Sequence, residues 1–263
     1  MAVHHVMAMR SIFLITVRVV IFVAATAVAN AAEVKLLSAE VMKPALADLA
    51  GVFERSNGHK LMISYDSAGR VKTRIEGGEA ADVAIIQKPV VEALSEQGKI
   101  ARGSAVTLAR SGVAVAVPKG APRPDLSTVD ALKRSLLAAK TIAYPDPTRG
   151  AASGILFRSV IERLGIAREI NAKAKLMKGT FVEFVAEDEA EIAVTQPMEL
   201  LAVPSYDVVG WLPDELQDYK NFTWAAAVTA NASEPNAAKA LVQFLSSPTA
   251  AQVLKKRGME PGQ

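Results

Sequence analysis

Short apolar runs of strand length alternate with amphipathic helical stretches from residue 34 almost to the C-terminus, and few folds accommodate that rhythm. Val34–Leu37 precedes a helical stretch over about 41–55 that sets Leu46, Leu49, Ala50 and Phe53 on one face. Lys60–Tyr65 reads as a strand, Val71–Glu76 as a helix closed by Gly77-Gly78, Asp82–Ile86 as a strand and Pro89–Gln97 as a helix. Val113–Val117, Val129–Leu137, Thr141–Ala143, Gly154–Leu164 and Ile192–Thr195 continue the pattern, with a short helix from Pro197. A helix between successive strands returns the chain in the same direction. The expected class is α/β, with mainly parallel sheets flanked by helices.

Two apolar strands read as crossings between lobes. One is entered at Ser111-Gly112-Val113, the other at Phe222-Thr223-Trp224-Ala225. They divide the chain into a first lobe, residues 32–111 plus 223–263, and a second lobe, residues 112–222. Glu234–Leu245 and the helix begun by Ser247-Pro248 return to the first lobe.

Ahead of this body, Arg10 opens an apolar run that Arg18 interrupts. The run fades into Ala27-Val28-Ala29 and Ala29-Asn30-Ala31, two small-x-small patterns of the kind a signal peptidase accepts. It falls short of the roughly 20 uninterrupted residues of a spanning helix. Residues 1–31 are therefore expected to be a cleaved signal peptide, and the working protein to be periplasmic. Removing them removes Arg10 and Arg18 and no acid, leaving 28 basic residues against 27 acidic. Such balance, with no basic stripe, gives no footprint for nucleic acid.

Cysteine is absent, so an exported chain of this size must rely on its core and not on disulfides. His59 is the single histidine after residue 31. A His/Cys zinc site is excluded by counting, and a Ser-His-Asp centre would depend on one loop histidine. No metal or cofactor is expected. Hydrolysis by a carboxylate pair stays open, with Glu40, Asp66 and Asp146 as candidates at strand ends. Trp224 reads as core or interlobe packing.

In open α/β sheets, ligands gather beyond the C-terminal ends of the strands, where helix N-termini favour anions. The loops there are chemically pointed. Ser38-Ala39-Glu40 follows the first strand, Ser67-Ala68-Gly69-Arg70 the second and Gln87-Lys88 the third. Arg149 to Gly154, with Ser153, and Thr195-Gln196-Pro197 follow strands of the second lobe. Ser38, Ser67, Ala68, Gly69, Arg70, Gln87, Arg149, Ser153 and Thr195 are the candidate ligand-binding residues, their donors converging on one small anion.

Across nearly the whole mature length the chain resembles the periplasmic molybdate-binding component of ABC transporters and its wider relatives. The resemblance rests on Val34-Lys-Leu-Leu-Ser-Ala-Glu, Tyr65-Asp-Ser-Ala-Gly, Ile75-Glu-Gly-Gly-Glu-Ala-Ala-Asp-Val-Ala-Ile, Tyr144-Pro-Asp-Pro and Phe244-Leu-Ser-Ser-Pro-Thr-Ala-Ala. It implies a type 2 periplasmic-binding-protein fold of two α/β lobes with the ligand in the cleft between them. It also implies a non-catalytic monomer that captures a small anion, closes by hinge rotation and delivers its load to a membrane permease. The departures concern the ligand. Molybdate binders surround the oxyanion with two serines and a tyrosine, where this chain has Val41, Ala68 and Thr195. Arg70 and Arg149 stand instead at the corresponding loops, and arginine forks suit planar carboxylates. Molybdate, tungstate and a small di- or tricarboxylate remain the candidate ligands, with a lean toward carboxylate.

Overall fold

The structure, a computed structural model, describes residues 31–262. The leader expected over residues 1–31 lies, Ala31 apart, outside the described residues. β1 (Glu33–Ala39) passes through a 3-10 turn (Glu40–Met42) into α1 (Lys43–Asn57). β2 (Lys60–Asp66), α2 (Ala68–Glu76), β3 (Val83–Gln87), α3 (Lys88–Glu96) and β4 (Val106–Arg110) follow. A second sheet is built from β5 (Ala114–Pro118) onward. After it come α4 (Val129–Ala138), β6 (Ile142–Pro145), a 3-10 turn (Pro147–Arg149), α5 (Ala152–Arg163) and α6 (Ala167–Asn171). β7 (Ala174–Met177), α7 (Phe181–Glu187), β8 (Ile192–Thr195), α8 (Pro197–Leu200) and β9 (Tyr206–Trp211) complete that part. β10 (Thr223–Val228), α9 (Pro235–Leu245), α10 (Pro248–Lys256) and β11 (Glu260–Pro261) return to the first sheet.

The first sheet has the order β11-β4-β10-β3-β1-β2 and the second β7-β6-β8-β5-β9. Both are mixed, which corrects the expectation of mainly parallel sheets. β1 pairs parallel with β2 and β3, but β10 pairs antiparallel with β3 and β4. β6 likewise pairs parallel with β7 and β8, while β5 is antiparallel to β8 and β9. The reason lies in the crossings: β5 and β10 each enter their sheet from the other lobe, without a helical return to align them. The two crossing segments run side by side, with Ser111 N–H donating to Phe222 O at 2.9 Å.

Packing follows the apolar faces. α1 turns Ala45, Leu46, Leu49 and Phe53 onto the first sheet and ends at Gly58, whose φ of 72° suits the left-handed cap. On the second sheet Leu132, Leu136, Phe157 and Val160 cover one face, and Met177, Phe181 and Tyr206 cover the other. Met198 breaks the division: it follows β8 of the second sheet yet is fully buried in the core of the first. Gly154 is present for packing, since a Cβ there would stand 1.9 Å from Pro145 O and drive α5 off β6. His59 is half-buried rather than a freely solvated loop residue, because its Nδ1 accepts the Ala32 N–H at 3.2 Å.

One buried carboxylate fastens the first lobe. Asp82 accepts Lys35 N–H at 2.8 Å, Glu234 N–H at 2.9 Å and the Ser233 hydroxyl at 3.0 Å, tying β3 to β1 and to the start of α9. Burial pushes its carboxyl up, but these donors together hold it below the usual 3.8. Its contribution is therefore present above pH 3.8 and lost as pH falls through the depressed value. Asp82→Ala leaves buried donors unmet. It should cost about 3 kcal/mol at neutral pH, read from urea denaturation midpoints, with the gap to wild type narrowing in acid.

Candidate functional site

The ends of β1, β2, β6, β7 and β8 face one another across the gap between the sheets. What brings them together is a backbone contact. Gly69 N–H donates to Gly150 O at 3.1 Å, and a Cβ on either glycine would fall within about 3 Å of the other residue's Cα. Gly150, with φ of 77°, also needs the left-handed conformation. The Ser67 hydroxyl donates across the same seam to Arg149 O while accepting Arg70 N–H at 3.4 Å as the cap of α2.

Under this seam lies a small cavity between the two lobes. Its wall includes Glu40, Ser67 and Ala68 from the first lobe and Arg149, Ser153 and Lys178 from the second. Asp146, Gln196, Glu199 and Trp224 add further polar groups to the lining. The Pro147–Arg149 turn is fixed by Asp146, which accepts Thr148 N–H at 2.9 Å and the Thr148 hydroxyl at 2.7 Å. That hydroxyl contact comes first among the causes that hold Asp146 below the usual carboxylate range. The helix that follows, α5, has no side-chain cap at Ala151, so its first N–H groups turn uncapped toward the cavity.

The electrostatics are unbalanced. Arg149 makes no ion pair among the described residues. The Nε1 of Trp224 and the Oε1 of Gln196 are buried without a hydrogen-bond partner among those residues. Glu199 is buried on the wall, where its carboxyl accepts the Thr195 hydroxyl at 2.5 Å and the Phe181 N–H. Burial above all carries its pKa from 4.5 up to about 7, and Glu40 and Glu183 push the same way. Glu40 is also raised, first by burial and then by Asp66 and Glu183, against the pull of Arg149 and Lys43.

The structure thus gathers Ser67, Ala68, Arg149 and Ser153 on one wall, with Thr195 directly behind Ser153 at 3.2 Å between hydroxyl oxygens. Four candidates stand elsewhere. Arg70 turns outward, its side chain 60% exposed and its Nε 3.3 Å from Asp66 Oδ2, because Asp66 lies one turn before it across the start of α2. Gly69 serves the interlobe contact. Ser38 is buried in β1, its hydroxyl donating to Ala39 O at 3.2 Å. Gln87 lies across from Trp224 in the β3–β10 register, behind the wall, with its Oε1 unpartnered. Trp224, expected as packing, lines the cavity as well. Glu199 went unread. Its trace in the sequence is an acid in the otherwise apolar Pro197-Met198-Glu199-Leu200-Leu201, four residues after Thr195. Of the carboxylates named for hydrolysis, Glu40 and Asp146 both line the cavity, Asp146 engaged by Thr148, while Asp66 is engaged by Ser67 N–H and Arg70. Among the described residues no group of His, Cys, Asp and Glu could hold a metal ion, and no helix is long and apolar enough to cross a membrane.

A family model for the bacterial extracellular solute-binding proteins matches residues 34–260. The chain belongs to that family. Among its relatives within reach of sequence comparison is an aconitate isomerase of a Pseudomonas sp., 34% identical over 233 residues, 86% of this chain and 87% of the relative. Another is the molybdate-binding protein ModA of Azotobacter vinelandii, 27% identical over 239 residues, 88% of this chain and 90% of the relative. The solved periplasmic molybdate-binding protein of Azotobacter vinelandii superposes with a TM-score of 0.70 at 21% identity. That match covers 88% of this chain and the whole of the other, and it shows the solute-binding fold of two lobes.

The buried acid leaves a signature in stability. Because its carboxyl is raised in the folded chain, Glu199 binds a proton more readily there than when unfolded. Stability from this difference is complete below pH 4.5 and is lost as pH rises through about 7, a swing on the order of 3 kcal/mol. Glu199→Gln should therefore melt several degrees above wild type at alkaline pH, with the gap closing in mild acid. Thermal melts across that range read it directly.

Proposed function

We propose that this solute-binding protein captures a small di- or tricarboxylate in the cleft between its lobes, acting as an exported protein with an ABC-type membrane permease. The observation that carries the reading is Arg149, a guanidinium on the cavity wall with no carboxylate partner among the described residues. A planar fork of N–H groups matches a planar carboxylate, and a second charge on the same ligand is met by Lys178 and the uncapped start of α5. Trp224 Nε1–H supplies an uncharged donor with no other use. Ala68 and Thr195, standing where molybdate binders carry a serine and a tyrosine, weaken the case for a tetrahedral oxyanion. The relative named for aconitate, itself a tricarboxylate, leans the same way.

A thermal-shift screen of the ligand-free protein tests this with molybdate, tungstate, sulfate, phosphate, citrate, cis-aconitate and succinate. A ligand in large excess over its Kd should raise Tm by degrees. The expected rise comes from a polycarboxylate. Arg149→Ala should weaken that binding by about a hundredfold or more while leaving the melting of the empty protein nearly unchanged. A rise with molybdate and tungstate alone would replace the carboxylate with an oxyanion.

Glu199 favours a second reading, in which the bound carboxylate is also isomerised. Moving a double bond beside a carboxylate requires a group that takes a proton from one carbon and returns it to another. A buried carboxyl that titrates near neutrality on the ligand wall suits that task. Incubation with cis-aconitate in deuterated water should then yield the trans isomer carrying solvent deuterium. Glu199→Gln should lose about 10²-fold or more in rate while still binding. No turnover by the wild type would confine the protein to capture.

A further inference from the structure

Glu199 closes a chain of hydroxyls that ends at the ligand cavity, and the chain can run in either direction. Its Oε2 lies 2.5 Å from Thr195 Oγ1, which lies 3.2 Å from Ser153 Oγ, where either oxygen can donate. Each hydroxyl has one proton to give. When Glu199 is ionised it can only accept, so Thr195 must donate to it and Ser153 must donate to Thr195. Ser153 then turns its lone pairs toward the cavity, the wrong face for an anion. When Oε2 carries a proton, Glu199 donates to Thr195, Thr195 donates to Ser153, and the Ser153 O–H is free to point at the ligand.

We propose that anion capture takes up one proton on Glu199, and that this proton reverses the Glu199–Thr195–Ser153 chain so that Ser153 becomes a donor to the bound anion. The inference rests on the carboxylate reading above and names the residue that couples it to pH.

The surroundings leave Glu199 free to play this part. The carboxyls of Glu40, from the turn after β1, and Glu183, from α7, face it and disfavour its ionised form. Two nearby cations are committed elsewhere: Lys43 holds Glu183 at 2.9 Å and Arg257 holds Asp48 at 2.6 Å. Arg149 and Lys178 line the cavity itself and are matched by the incoming anion. With Glu199 ionised, a polyanion would share the cleft with Glu40, Asp146 and Glu199 against those two cations, both of which also help to hold Asp146 below the usual carboxylate range. Neutralising Glu199 removes one opposing charge and gains one donor. Glu199 also borders a surface groove between α1 and α7, lined by Pro44 and Thr180, which gives its proton an exchange route apart from the ligand cavity.

The test is calorimetric titration with tricarballylate, a saturated tricarboxylate that has no double bond to isomerise. Paired buffers of different ionisation enthalpy count the protons. Wild type should take up close to one proton per anion just above neutral pH, with affinity falling about tenfold per pH unit beyond it. Glu199→Gln should take up none and bind with a flat pH profile, and Glu40→Gln should keep the uptake. Ser153→Ala should bind about tenfold or more weakly than wild type in mild acid and equally at alkaline pH, where Ser153 is no longer a donor. Binding without proton uptake overturns the inference, as does uptake that vanishes in Glu40→Gln but persists in Glu199→Gln. A Ser153→Ala loss that is equal at both pH values overturns the hydroxyl chain. Failure of tricarballylate, citrate and succinate alike to bind even in mild acid overturns the carboxylate reading, and the inference falls with it.

Discussion

The site exists because two loops can touch without side chains between them. At Gly69 and Gly150 the lobes approach to backbone hydrogen-bond distance. That single contact sets the spacing of everything nearby: the starts of α2 and α5 converge, Ser67 reaches the carbonyl of Arg149, and the Arg149 guanidinium is left on the cavity wall. A Cβ at either position would wedge the seam apart. Small residues in these loops thus serve a contact between lobes first, and the ligand through it.

Around that seam, the outer groove and the cavity differ in how their charges are met. Cations bordering the outer groove are paired, as in Lys43 with Glu183 and Arg257 with Asp48. Inside, Arg149 lacks a partner, Trp224 Nε1 lacks an acceptor and Glu199 lacks a cation. Dehydrated polar groups without partners are costly, and the cost is returned when a molecule of complementary charge arrives. The same cleft that attracts an anion therefore holds an acid that resists being one.

The alternation of strands and helices was legible in the sequence. Periodicity reports burial, and those elements are buried. The strands that escaped notice, Val106–Arg110, Ala174–Met177, Tyr206–Trp211 and the two-residue Glu260–Pro261, lie toward sheet edges or carry mixed residues, so their burial patterns are broken. Within the candidate site, loop position singled out Arg149 and Ser153 because a strand end followed by a helix start defines a place, and both line the cavity. It could not separate Arg149 from Arg70. Both follow a strand end among small residues, and only the presence of Asp66 one helical turn away sends Arg70 outward. Glu199 was hidden for a different reason: it sits beyond a loop, on a four-residue helix whose direction no local pattern reveals.

That short helix has a mechanical meaning. Met198 is rooted in the core of the first lobe although its own strand belongs to the second, and Glu199 is the next residue along. Any separation of the lobes would pull the methionine into water, at about 1.5–3 kcal/mol for its apolar surface, and in the same stroke rehydrate the acid beside it. The residue that anchors one lobe in the other and the acid that lines the cavity are thus consecutive in the chain.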